Sequence, residues 1–135
     1  MPAKHHIDNE AMLIITTWEG EAIAIDLIGA LKKYQEDIQC HPDYINYNEV
    51  VDLNNVTAIN LTTADLMNIG KIASITDNKE ISRKLAFITS SNKTFFFVRM
   101  YKAYRSFSRN SNKDIRIFTT KYEAFEWVQN NTDNG

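Results

Sequence analysis

Hydrophobic residues recur along this chain with two different periods, and the changes of period divide it into strands and helices. Short apolar or alternating runs predict five β-strands, over residues 4–8, 12–18, 49–53, 84–89 and 115–119. Longer segments with apolar residues three or four positions apart predict four helices, over residues 21–37, 63–76, 93–109 and 121–129. Residues 9–11 join the first two strands as a hairpin.

The order of these elements predicts the fold class. After the hairpin, strands and helices alternate, which is typical of an α/β domain with a mixed, largely parallel five-stranded sheet and about four helices. Right-handed crossovers place three strands parallel. Residues 84–89 read as a continuous apolar run, which indicates a strand buried on both faces.

The composition adds limits to this picture. A chain of 135 residues forms one domain, which we expect to span residues 1–130 with a short polar tail over 131–135. The chain opens with polar and charged residues and nowhere holds the ~20 consecutive apolar residues of a membrane span, so we expect a cytoplasmic protein with no transmembrane segment. The single cysteine, Cys40, cannot form an internal disulfide.

Enzyme chemistry has little support in the sequence. There is no Gly-rich phosphate loop, no nucleophile elbow and no helix motif with two histidines, and the chain holds only 4 glycines. Asp52 and Asp65 have no His or Lys partner in the sequence pattern, and His5 and His6 have no further metal ligand in spacing. We therefore expect no catalytic residues, no metal and no cofactor.

Two neighbouring threonines open the second predicted helix. Thr62 and Thr63 lie where free backbone N–H groups and the helix dipole favour negative charge, so they are a candidate phosphoacceptor or anion site. The simpler hypothesis is helix capping, because Thr62 with Asp65 three residues later forms a variant of the capping box. We favour capping.

The third predicted helix is the second candidate site. A rotation of ~100° per residue separates an aromatic side from a basic side. The aromatic residues proposed to line a ligand pocket or a subunit interface are Phe95, Phe96, Phe97, Met100, Tyr101 and Tyr104. Three consecutive phenylalanines exceed one buried stripe, which predicts a homodimer or a small apolar pocket at this helix.

The basic side of the same helix is formed by Arg99, Lys102, Arg105 and Arg109. The simplest interpretation is a solvated face opposite the core. It is also a candidate surface for anionic lipid headgroups or an acidic partner. With a net charge of −2, a sequence pI of about 5.9 and no binding motif, we do not expect a nucleic-acid partner.

Several short segments together resemble a known superfamily. They are 18–21, 49–53 with 56–57, 97–101, and 117–118 followed by 123–128. In this order they resemble the STAS anti-sigma-factor-antagonist superfamily, and its SpoIIAA-like branch in particular, whose fold is also likened to that of the lipid-binding Sec14 proteins. The resemblance implies a regulatory or protein-interaction domain that is not an enzyme.

STAS proteins carry a turn of the type Asp-Ser-Ser-Gly, whose second Ser is phosphorylated by a partner kinase. The resemblance places this turn on residues 60–63, where Asn60, Leu61, Thr62 and Thr63 stand instead. Three positions differ in kind, and Thr62 keeps only the hydroxyl.

Two functions follow from the sequence and the resemblance. The first is a regulatory module with a protein partner, and the alternative is a small carrier of an apolar or lipid-like ligand held under the aromatic third helix. An apolar cavity beneath that helix favours the carrier, whereas a filled core with an exposed patch favours the module.

Overall fold

The computed structural model describes residues 3–76, 81–106 and 113–130, so the predicted polar tail lies outside the described residues. Its strands are β1 (Ala3–Asp8), β2 (Leu13–Ile23), β3 (Asn48–Asn60), β4 (Arg83–Ile88) and β5 (Lys113–Phe118). Its α-helices are α1 (Ala24–Cys40), α2 (Thr63–Ala73), α3 (Asn92–Arg105) and α4 (Lys121–Gln129). The 3₁₀ turns Pro42–Asn46 and Ser74–Thr76 follow α1 and α2.

The strands form one mixed sheet in the order β1-β2-β3-β4-β5. β1 pairs antiparallel with β2 through the predicted hairpin, and the other three pairings are parallel. The predicted fold class and the five-stranded mixed sheet are confirmed. The parallel set holds four strands and not three, because β2 also pairs parallel with β3.

The two faces of the sheet carry different layers. Val50, Ala86 and Ile88 pack with Trp127 and Val128 of α4 in one buried cluster. Side chains alternate along a strand, so the neighbouring residues of β3 and β4 point to the opposite face. That face is covered by α1, α2 and α3, and the helices therefore flank the sheet on both sides.

β2 and β3 are longer than the sequence pattern predicts. The predicted helix start at Glu21 and the predicted end of the third strand at Leu53 are both wrong, because Glu19–Ile23 pairs with Asn55–Asn60. β4 pairs with β3 only from Glu49 to Asp52. The two long strands therefore continue as a two-stranded extension beyond the end of β4, and this pairing overrides the helix propensity of Glu21 and Ala22.

The β2–β3 pairing is irregular at two points. The β2–β3 register shifts between Thr17 and Glu19 and again between Gly20 and Glu21. Gly20 has a φ of 86°, a conformation that residues with a side chain adopt only at a cost. Asn54, within β3, accepts a hydrogen bond on Oδ1 from the backbone N–H of Ser90 at 3.0 Å.

The substitution Gly20→Ala should lower the free energy of unfolding by about 1 kcal/mol, since alanine is strained at positive φ. The matched control is Gly29→Ala within α1, where an added Cβ also meets nothing within 4 Å but the backbone is helical. We expect this control to raise stability by about 0.5–1 kcal/mol. Urea unfolding of both variants is the measurement, and effects of the same sign would contradict the role assigned to Gly20.

Candidate functional site

A cavity of about 190 Å³ lies between the sheet and the three helices on its second face. α1 contributes Leu27, Ala30, Leu31 and Tyr34, α2 contributes Leu66, Ile69 and Ala73, and α3 contributes Thr94, Phe97, Val98 and Tyr101. The strands contribute apolar residues as well, including Val51, Leu85 and Phe87. An apolar concave site with a few polar side chains is the usual form of a small-molecule pocket.

One wall of the cavity contains a buried network of charged side chains. Glu49 of β3 accepts hydrogen bonds on Oε1 from the hydroxyl of Tyr34 and from Lys113 Nζ, which is 3.3 Å away. Arg83 of β4 forms an ion pair with the same oxygen at 2.6 Å. The side chains of Glu49, Arg83 and Lys113 are 11%, 5% and 9% exposed. Buried charges of this kind are tolerated because they are paired and hydrogen-bonded.

The network determines the protonation of its members. Burial alone would raise the pKa of Glu49, but the positive charges of Lys113 and Arg83, with the Tyr34 hydrogen bond, lower it to about 2. Burial and the negative charge of Glu49 raise the pKa of the Tyr34 hydroxyl well above its usual value. Glu49 is therefore a carboxylate and Tyr34 a neutral phenol at neutral pH.

His5 of β1 also lines the cavity. Its Nδ1 lies 2.8 Å from Oγ1 of Thr16, the residue opposite it on β2. Burial lowers the pKa of His5, and the nearby carboxylates of Asp37 and Glu49 offset only part of that effect. His5 is consequently a neutral imidazole at pH 7.

The aromatic candidates on α3 divide into two groups. Phe97 and Tyr101 line the cavity, and Tyr101 also makes an edge contact with Phe87 of β4, with ring centroids 5.9 Å apart. Phe95 and Phe96 are 40% and 59% exposed. Met100 and Tyr104 are half-buried and do not line the cavity.

The candidate basic face is only partly present. Arg99 and Lys102 are exposed, and the Arg99 guanidinium lies 5.8 Å from the Phe95 ring centroid. Arg105 differs from the prediction because it is 3% exposed. A Cβ placed on Gly70 would lie 3.9 Å from Arg105 Cδ, so the arginine stem packs against the α2 backbone. Arg109 lies outside the described residues.

Thr62, at the start of α2, has a structural partner. The Thr62 hydroxyl accepts from the Asp65 backbone N–H at 3.1 Å, and the Asp65 carboxylate accepts from the Thr62 N–H at 2.9 Å. This is the reciprocal capping box expected from the sequence. Thr62 and Thr63 are exposed, and their role as phosphoacceptors stays a prediction.

The sequence pattern did not identify the buried network. Glu49, Arg83 and Lys113 each stand at or near the first residue of a strand, where a charged residue usually marks an exposed strand end. Only the parallel pairing of β3, β4 and β5 brings these first residues together. The one available signal was a charged residue one or two positions before each apolar run.

Metal ligation has no structural basis among residues 3–76, 81–106 and 113–130, where no three His, Cys, Asp or Glu side chains are grouped to hold an ion. In the same part of the chain, no helix has both the length and the apolar character needed to cross a membrane.

Comparisons with known proteins identify the fold. No protein-family model matches the chain, and no curated protein is similar to it. Among solved structures, an uncharacterized DUF3478-family protein from Shewanella loihica PV-4, determined at 2.25 Å and described as having a SpoIIAA-like fold, aligns with a TM-score of 0.59. The alignment has 12% sequence identity and covers 93% of this chain and 91% of that one. The chain has a SpoIIAA-like fold, as the sequence resemblance implied.

Acid should weaken the protein through Glu49. Its pKa is lower in the folded chain than the usual 4.5, so its stabilising contribution is complete above pH 4.5 and is lost as the pH falls to about 2. The shift corresponds to about 3 kcal/mol. Urea unfolding between pH 7 and pH 2 measures this loss.

The variant Glu49→Gln tests the assignment. It should be less stable than the wild type by about 3–5 kcal/mol at pH 7, because Arg83 and Lys113 lose the carboxylate. Its stability should also fall less steeply between pH 4.5 and 2. Tyr34→Phe is the control, which removes one hydrogen bond, costs about 2 kcal/mol and keeps the steep acid dependence. Equal slopes in the wild type and Glu49→Gln would contradict the assignment.

Proposed function

We propose that this protein binds a small, largely apolar molecule in the cavity between the sheet and helices α1, α2 and α3, and that it acts by binding and not by catalysis. The cavity itself is the observation that carries the proposal. Its volume of about 190 Å³ exceeds the ~150 Å³ of an apolar cavity known to take up benzene. The alternative function foreseen from the sequence, a carrier, thus becomes the first hypothesis.

The position of the cavity supports a binding role. The cavity is partly open to solvent, and an apolar concave space of this size with few polar groups is the usual form of a small-molecule site. Its lining comes from three helices and all five strands, including Phe97 and Tyr101 of α3. A ligand would replace the packing contacts that these side chains lack.

Native mass spectrometry of the protein purified from its own host tests for a retained ligand. We expect a bound mass that is released on denaturation. Toluene is the defined probe, and it should raise the melting temperature of the wild type because it binds only the folded state. A protein that retains no ligand and shows no toluene-dependent shift would contradict the proposal.

A matched pair of variants locates the binding. Val56→Phe places a larger side chain in the cavity lining and should reduce the toluene shift by more than half. Thr57→Phe, at the neighbouring exposed position outside the lining, should leave the shift unchanged. Equal shifts in the two variants would place the toluene elsewhere.

A second candidate function is supported by the exposed aromatic residues of α3. Phe95 and Phe96 keep 40% and 59% of their surface exposed, and the Arg99 guanidinium lies over the Phe95 ring. Aromatic residues and arginine are enriched at protein interfaces, so this patch suits a protein partner or a second copy of the chain. A regulatory role and a cytoplasmic location stay predictions.

The variant Phe96→Ser tests this patch by light scattering coupled to size-exclusion chromatography. If the patch joins two copies, the wild type should be a dimer whose dissociation constant rises at least tenfold in Phe96→Ser. Tyr122→Ser is the control, since Tyr122 is 77% exposed on α4, on the other face of the sheet. A wild-type monomer, or equal effects of both substitutions, would exclude this dimer.

A further inference from the structure

The cavity has a polar end and an apolar end. Glu49 and Lys113 lie at or next to the first residues of β3 and β5, and because these strands are parallel, their first residues share one end of the sheet. Thr16 of β2 lies beside Val51, two residues after Glu49. His5 and Tyr34 add to this end through their contacts with Thr16 and Glu49. Apolar lining residues lie farther along β2 and β3, and they include Trp18, Ala22, Val56 and Ile59. Thr94 of α3 is a polar lining residue outside this group.

The polar end holds an acceptor with spare capacity. The hydrogen bonds from Tyr34 and Lys113 and the ion pair with Arg83 all converge on Oε1 of Glu49. Oε2 accepts no hydrogen bond from the residues that the structure describes, although Glu49 lines the cavity. A carboxylate oxygen has two lone pairs, so Oε2 can accept a hydrogen bond from a donor in the cavity.

We propose that the cavity takes an amphipathic molecule with a neutral hydrogen-bond donor, a hydroxyl or N–H group, that binds Oε2 of Glu49. The apolar body of the ligand lies along the β2–β3 extension, beneath α1 and α2. This inference rests on the proposed binding function, since it specifies the chemistry of the ligand in the same cavity.

The charges of the network explain why the donor is neutral. An ammonium group beside Glu49 would also face the guanidinium of Arg83 and the ammonium of Lys113, both of which are already paired with that carboxylate. A carboxylate ligand would face Glu49 itself. Like charges repel strongly in a site of low dielectric constant, whereas a hydroxyl makes a charge-assisted hydrogen bond without adding charge.

The size of the cavity limits the rest of the molecule. At about 190 Å³ it accommodates a single six-membered ring with small substituents. We therefore choose p-cresol and p-xylene as probes, because they have nearly the same shape and differ by a hydroxyl in place of a methyl group. Isothermal titration calorimetry should show that the wild type binds p-cresol about tenfold more tightly than p-xylene.

A direct readout identifies the acceptor. The ¹³C resonance of the Glu49 carboxyl carbon should shift on addition of p-cresol and not on addition of p-xylene. In Glu49→Gln the preference for p-cresol should disappear, because an amide is a weaker, uncharged partner. If this variant does not fold, the carboxyl resonance of the wild type decides the question. In Val56→Phe, both probes should bind more weakly and the preference for p-cresol should remain.

The outcomes separate the two proposals. Binding of both probes with equal affinity, or a p-cresol preference that persists in folded Glu49→Gln, would overturn the role of Glu49 and leave the binding function intact. Failure of both probes to bind would overturn the binding function and this inference together. The tenfold preference with a shifted Glu49 resonance would support both.

Discussion

The hydrogen-bonded carboxylate of Glu49 is the interaction on which the helix-covered face of this sheet depends. It joins α1 through Tyr34, β4 through Arg83 and β5 through Lys113. Arg83 extends the connection by donating to the carbonyl of Tyr47 at 2.8 Å, at the end of the turn that follows α1. A buried ion pair need not add net stability compared with apolar residues, but its strict geometry limits how these elements pack. The network therefore constrains how α1 packs against strands whose other contacts on this face are apolar and less directional.

The cavity follows from the same arrangement. The Glu49 hydrogen bond and ion pairs hold α1 and the strand starts together at one end of the sheet, while β2 and β3 continue beyond β4 at the other. Helices α2 and α3 cover the space between these two ends. On the opposite face, α4 packs closely, with Trp127 in contact with Phe118 and below the cationic side chains of Lys84 and Arg116. The face covered by α4 is thus closely packed, whereas the face covered by α1, α2 and α3 contains the cavity.

The SpoIIAA-like fold does not determine what this space binds, since one fold supports many functions and function depends on the particular site. The departures at residues 60–63 from the phosphorylated STAS turn have a structural counterpart, because Thr62 is engaged in a capping box with Asp65. The buried charged and hydrogen-bonded side chains instead lie at the opposite ends of the parallel strands, around Glu49. Helix α3 contributes to both proposed functions, since Phe97 lines the cavity and Phe96 is exposed on the surface.

The sequence by itself determined the fold class, because hydrophobic periodicity and helix caps are local properties. α4 was predicted with its correct bounds, and the Thr62–Asp65 cap was predicted from a spacing of three residues. The sequence did not determine the length of β2 and β3, since the pairing of Glu19–Ile23 with Asn55–Asn60 is a contact between distant segments that overrides local propensity. Burial of Arg105 depends in the same way on a glycine of another helix. Only the tertiary structure brought Tyr34, Glu49, Arg83 and Lys113 together, because parallel strands align residues that lie far apart in the chain.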